Sequence, residues 1–146
     1  MELKQLQDEW SKDSKINQLD LSNQTAGVPS LHAKYLNLLS STKRDVLQAE
    51  KVFLKLRRIM TKYYQGALTK EELEEYGLDQ YQGKKPLKTE LDALLEHDED
   101  MIAAKMAIEE HMICKDYLES VMKSIHSRTY DMKNILAWLT YSSGQS

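Results

Sequence analysis

The longest regular pattern along the chain is an apolar seam from Tyr35 to Tyr63. Tyr35, Leu39, Thr42, Val46, Ala49, Phe53, Leu56, Met60 and Tyr63 follow one another at alternating spacings of four and three. That interval keeps one helix face against a partner helix. No Gly or Pro interrupts the run. Gly66 stands just past its end as a C-cap, and Ser30 offers an N-cap after Gly27 and Pro29. Such a helix would be roughly 43 Å long at 1.5 Å per residue and needs other helices to cover it. Ahead of it, Leu3, Leu6 and Trp10 share one side of a short helix over residues 2–10. A polar linker broken only by Ile16, Leu19 and Leu21 follows.

Beyond Gly66, Thr69-Lys70-Glu71-Glu72 is a capping box that predicts a short helix ended by Gly77. The stretch GLDQYQGKKPLK reads as a surface loop. A second long helical region is expected from Lys88 onward. Its apolar positions are Leu91, Leu95, Ile102, Met106, Ile113, Tyr117, Val121, Ile125, Met132, Ile135 and Leu139, with a bend or break expected at residues 126–129. The pattern therefore predicts an all-α fold: long heptad-patterned helices in a hairpin or bundle, with a short extra helix. The expected organisation is a single helical domain over 1–146. Within it fall an N-terminal helix and linker (1–29), a basic long helix (30–66), a capped helix and loop (67–88) and a C-terminal helical region (89–146). A pair of long helices leaves apolar surface uncovered, so self-assembly is expected.

Charge changes this picture. The 146 residues carry a net charge of −3, but unevenly. Between 43 and 62 there are seven Lys or Arg against Asp45 and Glu50, and between 71 and 100 eleven Asp or Glu against Lys84, Lys85 and Lys88. Lys51, Lys55, Arg58 and Lys62 fall on the helix side opposite the seam, within roughly 60° of one another at 100° per residue, and Arg57 sits beside the seam. Each like-charged i,i+4 pair in such a column costs a few tenths of a kcal/mol. Two readings of the column stay open. In one, its charges pair with the acidic 71–100 segment. In the other, it is a track for a phosphate backbone, with Tyr64 placed to stack on an unpaired base while Tyr63 lies on the core side.

Other constellations carry less. His111 and Cys114 lack a second pair of metal ligands at compatible spacing. EHDED, residues 96–100, reads as a solvated face or a helix start more readily than a cation site. There is no Gly-rich phosphate loop, no HExxH and no nucleophile with a base, so no enzyme and no cofactor are expected. Cys114 is the single cysteine, which suits a reducing compartment. The N-terminal MELKQLQDEW is charged where a signal peptide would be apolar, and no apolar run approaches membrane-spanning length. A soluble cytoplasmic protein with no membrane partner is expected.

Four blocks of the chain, LHAKYLNLLSSTKRDVLQAEK, RIMTKYYQG, LKTELDALLEHDED and SIHSRTYDMKNILAWLTYSSG, together resemble the UvsY family, the recombination mediators of large tailed bacteriophages. LHAKYLNLLSSTKRDVLQAEK carries Tyr35-Leu36-Asn37 followed by Ser41 and Lys43. RIMTKYYQG is similar to the family's basic helix ending in Tyr-Tyr-x-Gly. LKTELDALLEHDED is the third block, and in SIHSRTYDMKNILAWLTYSSG the residues Arg128, Tyr130, Lys133, Ile135, Tyr141 and Gly144 match the family's spacing. The resemblance implies a non-enzymatic protein that forms rings, described as heptamers, and binds single-stranded DNA. It also implies contacts with the phage recombinase and the phage single-stranded-DNA-binding protein, in the cytoplasm of the infected bacterial host. Arg58 matches the first basic position of the family's DNA-binding segment, whereas the second falls on Met60. Lys51, Lys55, Arg57, Arg58, Lys62 and Tyr64 are therefore the expected DNA-binding residues, with Lys55, Arg57 and Lys62 supplying the charge that Met60 lacks. Ile125, Met132, Ile135, Leu136, Trp138 and Leu139 are the expected assembly interface. The alternative is a structural coiled-coil assembly or adaptor protein without a nucleic-acid role.

Overall fold

A computed structural model describes residues 1–144. Among them six α-helices and no strand are present: α1 (Leu3–Asp13), α2 (Leu21–Ala26), α3 (Val28–Tyr64), α4 (Lys70–Tyr76), α5 (Lys88–His97) and α6 (Glu99–Ser142). None of these helices is long and apolar enough to cross a membrane. The chain divides into two compact units, one of residues 1–45 with 111–146 and one of residues 46–110.

In the first unit, α1 and the first part of α3 pack on the C-terminal part of α6. Leu6, Tyr35, Leu118, Val121 and Ile125 are essentially sealed from solvent, with Leu39 and Cys114 beside them. Cys114 is thus a core residue. Trp10 meets Tyr35 edge-on with ring centroids 5.3 Å apart. Around this apolar centre runs a polar clasp. Lys34 Nζ donates to Glu9 Oε2 (2.7 Å) and Asp13 Oδ2 (2.6 Å), and the Tyr35 hydroxyl donates to the same Asp13 oxygen at 2.8 Å. Burial alone would raise the Asp13 carboxyl. The hydrogen bonds from Lys34 and Tyr35, with the charges of Lys34 and Arg128, outweigh it and hold that group below its ordinary value.

Arg128 closes the same unit. Its side chain is buried, and its two terminal nitrogens donate to the carbonyls of Ser14 and Lys15, both at 3.0 Å. The guanidinium thereby occupies the carbonyls left free where α1 ends. No break occurs at 126–129, because α6 is helical throughout. Arg128 continues the inward face set by Val121, Ile125 and Met132, so a charged residue at a buried position interrupts the apolar pattern without interrupting the helix.

Three further expectations are corrected. The stretch read as a linker contains α2, whose Thr25 hydroxyl bonds back to the Leu21 carbonyl at 2.8 Å. The long helix begins at Val28, not after Ser30. Pro29 therefore lies in its first turn, where a missing N–H costs nothing. The region from Lys88 is two helices separated by Asp98, and Ile102, Met106 and Ile113 are exposed on α6.

In the second unit, Met60 of α3 is buried against Leu91 and Leu95 of α5 and Met101 of α6, flanked by Phe53, Leu56, Tyr63, Tyr64 and Leu78. All nine seam positions of α3 are buried or half-buried. Thr69 caps α4 as the sequence predicts: its hydroxyl accepts from the Glu72 N–H and its own N–H donates to the Glu72 carboxylate, both at 3.1 Å. Gly66 and Gly77, with φ of 68° and 66°, end α3 and α4 in the left-handed conformation that only glycine adopts without penalty. At the first of these, Ala67 N–H reaches the Lys62 carbonyl and Gly66 N–H the Tyr63 carbonyl, closing α3 with a Schellman motif.

Candidate nucleic-acid interface

Because the α3 seam faces inward in the second unit, the opposite side of the same helix is turned to solvent. Lys51, Lys55, Arg58 and Lys62 are exposed there, and Arg57 is exposed beside the seam. Among the described residues, the only ion pairs within 4.0 Å are those of Lys34, so none of the five cations is paired with an acid of the 71–100 segment. Lys62 and Arg58 do lie beside α4: with Ile59, Leu68, Glu72 and Tyr76 they line a depression of about 170 Å³. The Glu72 carboxyl is held below its ordinary value by hydrogen bonds from Thr69 and, to a lesser degree, by the charge of Lys62.

Tyr64 is placed differently from the cations. It is half-buried, and its hydroxyl donates to Asp98 Oδ2 at 2.7 Å. Its ring makes edge contacts with Tyr63 and Tyr81, with centroids 5.2 Å away in each case. Burial and the bond to Asp98 raise its hydroxyl well above the usual tyrosine range. Asp98 uses its other oxygen to accept from the Met101 N–H at 2.9 Å, which caps α6. One carboxylate thus starts α6 and fixes the end of the basic helix. The sequence left EHDED as a helix start without revealing this partner. Tyr81, which completes the aromatic cluster from the loop, carried no periodic signal.

The expected assembly residues separate into three groups. Ile125 lies in the core of the first unit, and Met132 is buried with the Thr25 hydroxyl 3.2 Å from its sulfur. Ile135 and Leu139 are half-buried. Leu136 and Trp138 are exposed, as are Tyr130 and Tyr141, and the Trp138 and Tyr141 rings stack at 6.2 Å.

The model of a family described as "Recombination, repair and ssDNA binding protein UvsY" matches residues 9–145. The chain belongs to the UvsY family. It is 29% identical over 148 residues to the recombination protein uvsY of Enterobacteria phage T4, covering 99% of this chain and all of that one. Its fold matches crystal structures of the bacteriophage T4 recombination mediator protein UvsY. In one lattice the TM-score is 0.80 at 24% identity, with 98% of each chain covered. In another it is 0.77 at 23% identity, with 97% of this chain and 99% of that one covered. UvsY proteins act in recombination and repair and bind single-stranded DNA, which sets the exposed cationic column of α3 in a functional context.

Proposed function

We propose that this protein is a recombination mediator that binds single-stranded DNA along α3 and helps a phage recombinase load onto strands already covered by single-stranded-DNA-binding protein. The observation that carries this reading is the column itself: Lys51, Lys55, Arg58 and Lys62 are exposed on the outer side of a helix whose inner side is core, Arg57 is exposed beside the seam, and among the described residues none of the five makes an ion pair within 4.0 Å. In this reading Lys51, Lys55, Arg57, Arg58 and Lys62 meet phosphates, and Lys55, Arg57 and Lys62 supply the charge absent at Met60. Tyr64 serves by fixing the C-terminal end of the column through Asp98. The protein works as a ring-like homo-oligomer, a heptamer, in the cytoplasm of the infected host. Leu136 and Trp138, with their exposed neighbours, contribute to assembly. Repetition of a weakly basic site around a ring gives an avidity that one subunit lacks.

The test is a strand-exchange assay with the phage recombinase and DNA pre-coated with the phage single-stranded-DNA-binding protein. Wild-type protein should shorten the lag before exchange, and the Lys55→Ala/Arg58→Ala/Lys62→Ala variant should not. Equal stimulation by both would rule out α3 as the working surface. No stimulation by either would favour the adaptor reading.

A further inference from the structure

The second unit contains a cleft that the phosphate column leaves unused. It has a volume of about 310 Å³ and is lined by Phe53, Arg57, Asp92, Leu95, Glu96, Met101, Ile102 and Lys105. Three helices build it by the same device, residues four apart that share a face: α3 gives Phe53 and Arg57, α5 gives Asp92 and Glu96, and α6 gives Met101 and Lys105. The floor is apolar, made by half-buried Phe53, buried Leu95 and Met101, and Ile102 at 43% exposure. The charged rim is exposed, and among the described residues none of its four charges makes an ion pair within 4.0 Å.

We infer that this cleft receives one unpaired nucleobase of the bound strand, preferring bases that offer an exocyclic amine. The inference rests on the reading of α3 as a DNA track, because Arg57 belongs both to the cationic group and to the cleft. A strand whose phosphates follow α3 passes the mouth of the cleft at Arg57. A base turned inward there meets an apolar floor suited to its faces. The two carboxylates decide what enters. As acceptors only, Asp92 and Glu96 repel a phosphate and receive N–H groups. Cytosine presents its N4 amine to such an acceptor. Thymine presents two carbonyl oxygens around a single N–H, and those oxygens oppose the carboxylates. Arg57 and Lys105 offset the two carboxylates and leave the rim neutral, so the carboxylates select the base without expelling the strand.

The experiment is fluorescence anisotropy with labelled oligo-dC and oligo-dT of equal length at one salt concentration. The change in ratio between wild type and the carboxylate variant reports the protein, because self-stacking of each oligonucleotide is common to both. Wild-type protein should bind oligo-dC about three- to ten-fold tighter than oligo-dT, a modest share of what a good base-edge contact gives. Asp92→Asn with Glu96→Gln should bring the ratio to within about twofold, mainly by strengthening oligo-dT binding, since amides both donate and accept. Ile102→Ala, which removes floor but no charge, should weaken oligo-dC binding and leave the salt dependence unchanged. A wild-type ratio of one, or a ratio that the double variant does not change, overturns the inference while leaving the phosphate track standing. Failure of wild-type protein to bind either oligonucleotide overturns both.

Discussion

Replacing Arg128 with Met keeps an unbranched apolar side chain in place and removes both hydrogen bonds to the end of α1. Those bonds, at 3.0 Å to the Ser14 and Lys15 carbonyls, come from a charged donor, for which about 1.5–3 kcal/mol each is typical. Ser14 is half-buried and Lys15 exposed, so water can reach the released carbonyls, and the lower end of that range applies. The expected cost is about 3 kcal/mol, a large part of the roughly 5–15 kcal/mol that holds an ordinary domain together. With a urea dependence of about 2 kcal/mol per molar, the unfolding midpoint should fall by about 1.5 M at a fixed protomer concentration. Arg128→Lys retains the charge but not the fork, and should lose about half as much. Limited proteolysis adds a local readout: cleavage between residues 14 and 20 should accelerate in Arg128→Met as α1 detaches. An unchanged midpoint together with an unchanged cleavage rate would refute the assignment of Arg128 as the anchor of α1.

Leu6→Ala empties a site that is fully sealed against α3 and α6 and should cost about 3 kcal/mol by urea titration. Thr69→Ala removes the α4 cap and should cost about 1 kcal/mol locally, read by hydrogen exchange at residues 70–76. Stability should also fall toward both pH extremes. The Asp13 carboxyl is lowered from 3.8, so its contribution is present above that pH and is lost as the pH falls through the still lower folded value. Tyr35 and Tyr64 are raised from 10.0 and Lys34 from 10.5, so their contributions are present below those values and are lost as the pH climbs past them. Urea midpoints across pH should show both declines, and Tyr35→Phe should blunt the alkaline one.

Where side chains repeat with a helical period and the chain is punctuated by Gly or a capping box, the elements follow from the sequence. The α3 seam, the Thr69 cap and the Gly66 and Gly77 stops are all of this kind. The misses share a different physical origin. Helix α2 buries no residue, so it has no apolar face to detect. Asp98 separates α5 from α6 with one extended residue, φ −66° and ψ 128°, which requires neither Gly nor Pro. Arg128 sits inward because its charge is met by backbone carbonyls, and a hydropathy pattern registers that as a break. On α6 the exposed Ile102 and Met106 lie next to the buried Met101, so the inward face is displaced from the one the apolar residues suggest. The cationic column was legible because charge patterning needs no tertiary information. The position of Tyr64 was not, since its partner Asp98 is 34 residues away.

On the proposed function, the cations of α3 meet the phosphates of a single strand. The most direct test of this is anisotropy of a labelled single-stranded oligonucleotide across a salt series, comparing wild-type protein with Lys55→Ala. About four to five phosphate contacts per subunit predict a log–log slope of roughly −3 or steeper, and removal of one contact should make it shallower by about 0.7. Absence of binding at low salt, or a slope that Lys55→Ala leaves unchanged, would contradict the account.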